Sequence, residues 1–321
     1  MKALVFQSKE EGLQYTLDAA IPMAKEGEVL VKIRAAALNH RDVWITKGLY
    51  PGIQPNIILG SDGVGAYEGK SVLINPNIGW GDQEKAPSAH YSILGMPTNG
   101  TFAAYIAVPK NRIEPQPEHL TIEEAAALPL AGLTAFRALF SRGGLLKGEK
   151  VFINGVGGGV AMMAAQFAVA VGAEVYVSSS SDDKITKAVA LGVISGVNYK
   201  TADWREVYKK QGNSFDLIID SAGGEGFKHL LKLAAPGGRI VTYGGTRGII
   251  PTISPQLIFW KQLSIMGTSM GSDQDFINML RFVNDHKIRP IIDKVYPLEE
   301  GKKAFERMNK GMQFGKIILS L

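Results

Sequence analysis

The chain has 321 residues, 45% of them hydrophobic and 20% charged, which is room for two globular domains or one large one. Its net charge of +5 is scattered along the sequence rather than gathered into a stripe, which argues against a nucleic-acid partner. It holds no cysteine, which excludes disulfides, thiol nucleophiles and cysteine-ligated metal sites.

The run Met1-Lys2-Ala3-Leu4-Val5-Phe6-Gln7 is too short for a signal peptide, and no stretch approaches the roughly 18 apolar residues of a membrane span. The expectation is a cytoplasmic enzyme with no membrane partner. Residues 1–115 read as β-rich, with short apolar runs such as 28–33 and 71–74 set between Gly, Pro and Asn turns. Residues 75–100 have no clear period and read as a long surface loop. Thr121-Ile122-Glu123-Glu124 is a capping box that opens a helical stretch over 125–140. Short apolar strands follow at 151–154, 174–177, 216–220, 239–243 and 265–269, with helical segments between the earlier ones. That alternation predicts a parallel sheet covered on both faces. A helix over 273–284, a strand over 288–296, a helix over 298–309 and a strand over 316–319 end the chain. The C-terminal stretch is expected to fold back onto the N-terminal domain.

The central motif is Val151-Phe152-Ile153-Asn154-Gly155-Val156-Gly157-Gly158-Gly159-Val160. An apolar strand enters a glycine cluster and an Ala- and Met-rich helix leaves it. This is the context a dinucleotide needs. Glycine lets the backbone approach the pyrophosphate, and the helix start offers free N–H groups and the positive end of its dipole. The second strand selects the dinucleotide. NAD-binding units end it in Asp or Glu, which holds the ribose 2′-hydroxyl. Here it ends in Ser178-Ser179-Ser180-Ser181, with Ser179 at the carboxylate position. Hydroxyls of Ser179 and Ser180 can donate to a 2′-phosphate, and Lys184 can neutralise it. Tyr199 and Lys200 could complete the pocket. The expected cofactor is therefore NADPH, with Gly155, Gly158, Gly159 and Val160 at its phosphates.

With these residues in place, the whole chain resembles the medium-chain dehydrogenase/reductase superfamily, most of all its quinone oxidoreductase-like and zinc-type alcohol dehydrogenase-like branch. The likeness runs through Leu38-Asn39-His40-Arg41-Asp42-Val43-Trp44, Leu59-Gly60-Ser61-Asp62-Gly63, Ala131-Gly132-Leu133-Thr134-Ala135, the glycine turn, Gly237-Gly238-Arg239 and Phe314-Gly315-Lys316-Ile317. It implies an α/β protein with a GroES-like β-rich catalytic domain over 1–119 and 274–321. A Rossmann doubly wound parallel-sheet domain would lie over 120–273. It further implies Thr134 at the nicotinamide carboxamide, and Gly244, Gly245, Thr246, Gly267, Thr268 and Ser269 as cofactor contacts. It implies a homodimer paired through the last Rossmann strand.

In the zinc-dependent members the catalytic metal is held by a Cys and by a His-Glu pair; the matching positions here are Asn39, Ser61 and Asp62. Asn and Ser are poor zinc ligands, and one carboxylate does not hold the ion alone. No metal is expected. Without a Lewis acid, alcohol oxidation loses its means of stabilising an alkoxide. Hydride transfer to a quinone or to a C=C bond conjugated with a carbonyl needs only hydrogen-bond donors at the oxygen. The resemblance offers Tyr50 as proton donor, or as a loop aromatic packed on Pro51, and Asn39 as a polar residue near the nicotinamide. The expected substrate is a small molecule. Three other readings stand beside this one: an enoyl thioester reductase, a low-turnover NADPH-binding protein of the crystallin or sensor kind, and an alcohol dehydrogenase.

Overall fold

The computed structural model describes residues 1–201 and 203–321. Two compact units divide the chain, one made of residues 1–133 and 272–321, the other of 134–271. No described helix is long and apolar enough to cross a membrane.

The first unit is β-rich. Its main sheet runs in the order Ile113–Pro115, Lys70–Ile74, Asp62–Tyr67, Glu28–Ala37, Lys316–Ser320, Ile292–Pro297, and Tyr105–Pro109 pairs with the first half of Glu28–Ala37. Strand Glu28–Ala37 begins with a strict alternation: Val29, Val31 and Ile33 are buried while Leu30, Lys32 and Arg34 are exposed. It ends in Ala35-Ala36-Ala37, buried on both faces. There it lies between Asp62–Tyr67 and the C-terminal strand, with Ala37 opposite both Asp62 and Ile318. The C-terminal strand therefore does fold back onto the N-terminal sheet. This register brings Asp62 and Lys316 to the same strand end, two residues from Asn39.

The helix opened by the capping box is shorter than expected. It spans Ile122–Ala127, and Pro129 starts a second helix, Pro129–Phe136, followed by a π-helical turn, Arg137–Arg142. Proline has no N–H with which to continue the first helix. Ile122–Ala127 packs on the strands around Ala35–Ala37 with Ala125, Ala126 and Ala127 fully buried. It thus lies in the first unit, whereas the expected boundary at 119/120 assigns it to the second. The division falls inside Pro129–Phe136. Residues 75–100 are more ordered than a surface loop. They hold the two-stranded pair Asn77–Ile78 and Ser92–Ile93, and they bury Trp80, Leu94 and Met96. The Trp80 indole donates to the Gln83 carbonyl at 3.0 Å and meets Tyr91 edge-on.

The second unit is a six-stranded, all-parallel sheet. We number its strands β1 (Lys150–Asn154), β2 (Glu174–Ser179), β3 (Ser195–Asn198), β4 (Phe215–Asp220), β5 (Ala234–Thr242) and β6 (Ser264–Gly267). Their spatial order is 3-2-1-4-5-6, the dinucleotide-binding order, in which the chain reverses direction across the sheet between β1 and β4. The β1, β2 and β4 runs Val151-Phe152-Ile153, Val175-Tyr176-Val177 and Leu217-Ile218-Ile219 are buried, as strands covered on both faces must be. Helix Gly159–Ala170 presses a surface of Ala161, Ala164, Ala165 and Ala168 inward, and such small side chains let it sit close to the sheet. Strand β3, Ser-Gly-Val-Asn, escapes sequence reading because three of its four residues are poor strand formers.

Candidate functional site

In the second unit the residues expected to hold a cofactor gather at the carboxyl edge of the sheet. Gly155 to Val160 follow β1, Ser179 to Lys184 close and follow β2, and Tyr199 follows β3. Gly244 to Thr246 follow β5, and Gly267 to Ser269 close and follow β6. Ligands of open α/β sheets bind at this edge, beside the point of reversal. Thr134, expected at the carboxamide, is 5% exposed, and its hydroxyl lies 3.9 Å from the Met270 sulfur, just past the β6 end.

The glycine turn has the backbone conformation and open side that a phosphate cradle needs. Gly157 has φ +129°, and a Cβ there would come within 2.9 Å of Lys184 Cδ. Gly158 caps helix Gly159–Ala170 without a side chain, and a Cβ added to it meets nothing within 4 Å. No side chain at Gly158 therefore stands over the start of that helix, which fits a pyrophosphate. Hydrogen bonds between strands hold the turn. The Ser178 hydroxyl donates to Asn154 Oδ1 at 2.7 Å and accepts from Gly155 N at 3.0 Å. Asn154 Nδ2 donates to Asp220 Oδ1 at 2.7 Å, and Gly223 N donates to Asp220 Oδ2 at 2.9 Å. Burial pushes the Asp220 carboxyl above its usual range, against the hydrogen bonds from Gly223, Asn154 and Ala222. This chain of contacts ties the ends of β2, β1 and β4 into one frame. Its members sit at strand ends far apart in sequence, and only the pairing of the strands brings them together.

The serine run divides its labour. Ser179, expected at the ribose, turns inward: it is 2% exposed, and its hydroxyl donates to the Val156 carbonyl at 3.1 Å. Ser181 caps helix Asp182–Val189 by accepting from Lys184 N. Ser180 lies between them, half-buried, and is the hydroxyl left for a ribose substituent. Lys184 lays its side chain over Gly157, so its charge lies against the phosphate turn. Tyr199 and Lys200 are exposed, and Tyr199 N donates to the Ser179 carbonyl at 2.9 Å, which fixes Tyr199 beside the end of β2. At the far end of the sheet, Gly244, Gly245 and Thr246 are exposed, and the Thr246 N–H and hydroxyl both donate to the Ser221 carbonyl. Thr268 Oγ1 is buried without a hydrogen-bond partner among the described residues, an orphan that a cofactor amide would satisfy.

In the first unit, Asn39 stands in a buried polar cluster. Lys316 Nζ donates to the Leu38 carbonyl at 2.8 Å, to Asn39 Oδ1 at 2.7 Å and to Asp62 Oδ2 at 2.8 Å. Asn39 Nδ2 donates to Asp62 Oδ2 at 2.9 Å, and Leu130 N donates to Asp62 Oδ1 at 2.7 Å. Asn39, expected beside the nicotinamide, is thus 6% exposed with both ends of its amide committed to the cluster. The neighbouring Arg41 reaches the third position that matches a zinc ligand, donating to Ser61 Oγ at 2.7 Å. It also donates to the carbonyls of Leu94 and Met96 and, through Nε, to the Tyr50 hydroxyl at 3.3 Å. All three positions that match zinc ligands are therefore held by the cations Arg41 and Lys316, which oppose a divalent ion there. No group of three or more His, Asp or Glu among the described residues is placed to hold a metal. Sequence reasoning missed Arg41 and Lys316 as site residues; both lay inside quoted motifs but had no assigned partner.

Asp42 supplies the pH response of this cluster. Its carboxylate accepts from Asn39 N at 2.8 Å, and its other oxygen has no partner. Burial pushes it up to about 6, against the pull of Arg41, the Asn39 N–H and Lys316. Between its unfolded value and that raised value the folded chain holds a proton that the unfolded chain releases. Its contribution to stability is therefore present at low pH and lost as pH rises through that window. Asp42→Asn removes this slope. Relative to wild type, the variant is expected to gain up to about 3 kcal/mol between about pH 4 and pH 7. Urea unfolding at the two pH values measures it, and a difference that stays constant would contradict the assignment.

Residues 25–118 match the family described as "Alcohol dehydrogenase GroES-like domain", and residues 159–285 the family described as "Zinc-binding dehydrogenase". The zinc-type alcohol dehydrogenase-like protein YogA of Leptosphaeria maculans is 36% identical, over 94% of this chain and 92% of that protein. Among solved structures, an NAD-dependent alcohol dehydrogenase matches with a TM-score of 0.93 at 34% identity, over 100% of both chains. The quinone oxidoreductase of Thermus thermophilus, solved also as its complex with NADPH, matches with a TM-score of 0.85 at 29% identity, again over 100% of both.

Proposed function

The chain belongs to the medium-chain dehydrogenase/reductase superfamily of oxidoreductases, and from that premise we propose that it is a zinc-independent, NADPH-dependent reductase of quinones or α,β-unsaturated carbonyls. The observation that carries the reading is that Arg41 and Lys316 hydrogen-bond Asn39, Ser61 and Asp62 at the three zinc-ligand positions, beside a tyrosine hydroxyl. NADPH, held by the glycine turn, Ser180 and Lys184, would supply a hydride. The substrate carbon conjugated with the carbonyl accepts it, and the displaced electron pair moves to the carbonyl oxygen. That oxygen takes a proton from Tyr50, which is resupplied by solvent. One NADPH and one proton are consumed for each bond or quinone reduced. Asn39 holds the pocket through Lys316 and Asp62. In the parent family the metal stabilises an alkoxide; here the charge to be stabilised is delocalised, and hydrogen-bond donors suffice.

Preference for NADPH is supported by the absence of a carboxylate at the end of β2. The acids nearest it, Asp182 and Asp183, lie in the first turn of the next helix, and Asp183 is paired with Lys187 at 2.8 Å. Ser180→Asp places a carboxylate beside the ribose. It is expected to lower kcat/KM with NADPH about ten- to hundredfold, by charge repulsion and a lost hydrogen bond, and to raise it with NADH. Unchanged kinetics with both cofactors would remove Ser180 from the site.

The function itself is tested by NADPH oxidation on a panel of a 1,4-quinone, an enal, an enone and an enoyl thioester, with primary alcohols and NADP⁺ as the reverse arm. Turnover of the quinone or of the free enal and enone is expected. Turnover of the thioester alone assigns the chain to enoyl thioester reduction. Tight cofactor binding without turnover assigns it to a binding role. We also propose a cytoplasmic homodimer. Among the described residues strand β6 is a sheet edge paired with β5 alone, and exposed Phe259 and Trp260 precede it.

A further inference from the structure

Arg41 is part-buried and makes no ion pair among the described residues. Every acceptor it reaches is neutral: the Ser61 and Tyr50 hydroxyls and the Leu94 and Met96 carbonyls. Four hydrogen bonds leave one of its five N–H donors over. The bond to Met96 O, at 3.4 Å, is long. Its guanidinium carbon lies 4.9 Å from the centre of the Tyr50 ring. Asp42 feels the charge of Arg41, but among the described residues no carboxylate hydrogen-bonds the part-buried guanidinium, which leaves it placed to stabilise an anion that forms beside it. The segment around Leu94 and Met96 supplies two carbonyls that hold the fork in place. The direction of the Tyr50 bond matters. The hydroxyl accepts from Arg41 Nε, so its own proton points away from the guanidinium.

We propose that Arg41 is a positioning and charge-balancing residue acting through Tyr50. It orients the phenol proton toward the substrate oxygen and offsets the negative charge that gathers there when hydride adds. The ligand class follows from this chemistry: conjugated carbonyl compounds whose reduced form is an enolate or hydroquinone anion. The inference rests on the proposed reductase reading and narrows it to one residue pair.

Binding without turnover tests it. The full chain, saturated with NADP⁺, is titrated with 2-hydroxy-1,4-naphthoquinone, an anion at neutral pH, and with neutral 1,4-naphthoquinone. Wild type is expected to favour the anion. Arg41→Met is expected to weaken the anion roughly ten- to hundredfold and the neutral quinone distinctly less, because the neutral ligand loses the orientation of Tyr50 but no charge contact. Arg41→Lys, which keeps the charge and loses the fork, should recover part of the preference. Tyr50→Phe should weaken both quinones. Equal losses of anion and neutral quinone in Arg41→Met, no loss in either, or a wild type without preference would each overturn the role of Arg41 and leave the reductase reading standing. A wild type that binds neither quinone overturns the reading and this inference together. Melting temperatures of both Arg41 variants, taken alongside, separate loss of charge from loss of fold.

Discussion

Lys316→Met is expected to cost the fold roughly 3–5 kcal/mol, because it removes one partner of a buried ion pair and leaves the other charge uncompensated. Lys316 is 3% exposed, Asp62 is fully buried, and the ammonium spends its donors on Leu38 O, Asn39 Oδ1 and Asp62 Oδ2. Without it, Asp62 keeps only the Asn39 amide and the Leu130 N–H. Replacing the whole pair is a different experiment. Lys316→Met combined with Asp62→Leu removes both charges, so much of the loss should return, minus what it costs to take the Asp62 acceptor from the Asn39 amide. Urea denaturation of the two single variants and the double variant reads the coupling. A single-variant loss below about 1 kcal/mol would mean that Asp62 takes up a proton or reaches water, and the cluster would then not be the clamp described.

The second large effect is on the cofactor. Gly157→Val is expected to weaken NADPH at least about a hundredfold, since the side chain must adopt an unfavourable backbone conformation and block the closest approach to the phosphates. The backbone there has φ +129°, and even a Cβ would stand 2.9 Å from Lys184 Cδ. Fluorescence titration with NADPH measures the loss. Circular dichroism should show the sheet intact, because the residue lies in the turn between the strand ending at Asn154 and the helix starting at Gly159, not in a strand. Binding within threefold of wild type would mean that the turn is an ordinary strand–helix connection.

The parts of the molecule that depend on local chemistry were legible in the sequence. Val151-Phe152-Ile153-Asn154 entering Gly155 to Gly159 announces a strand, a phosphate turn and a helix within about twenty residues, and the alternation after it announces the parallel sheet. The parts that depend on register were not. Lys316 and Asp62 are 254 positions apart, and nothing short of the pairing of Lys316–Ser320 with Glu28–Ala37 brings them together. Arg41 sits in a legible motif, but its acceptors lie at Tyr50 and Ser61 and at Leu94 and Met96, the last two in a segment whose irregular composition hid its order. The direction of the Ser179 hydroxyl is set by the Val156 carbonyl, contributed by a turn 23 residues earlier. A serine run in place of an acid indicates which cofactor fits, and the backbone around it decides which serine is free to make the contact.

The central claim is a metal-free hydride transfer from NADPH. Its most direct measurement is kcat/KM for NADPH and NADH, side by side, on a 1,4-quinone and an enone. The protein is dialysed against chelator and its zinc content read on the same sample. Turnover is expected at negligible zinc, with NADPH preferred by about tenfold or more, the scale of one charge-assisted contact to the 2′-phosphate. Activity that disappears with the metal and returns with added zinc, or a preference for NADH, would contradict it.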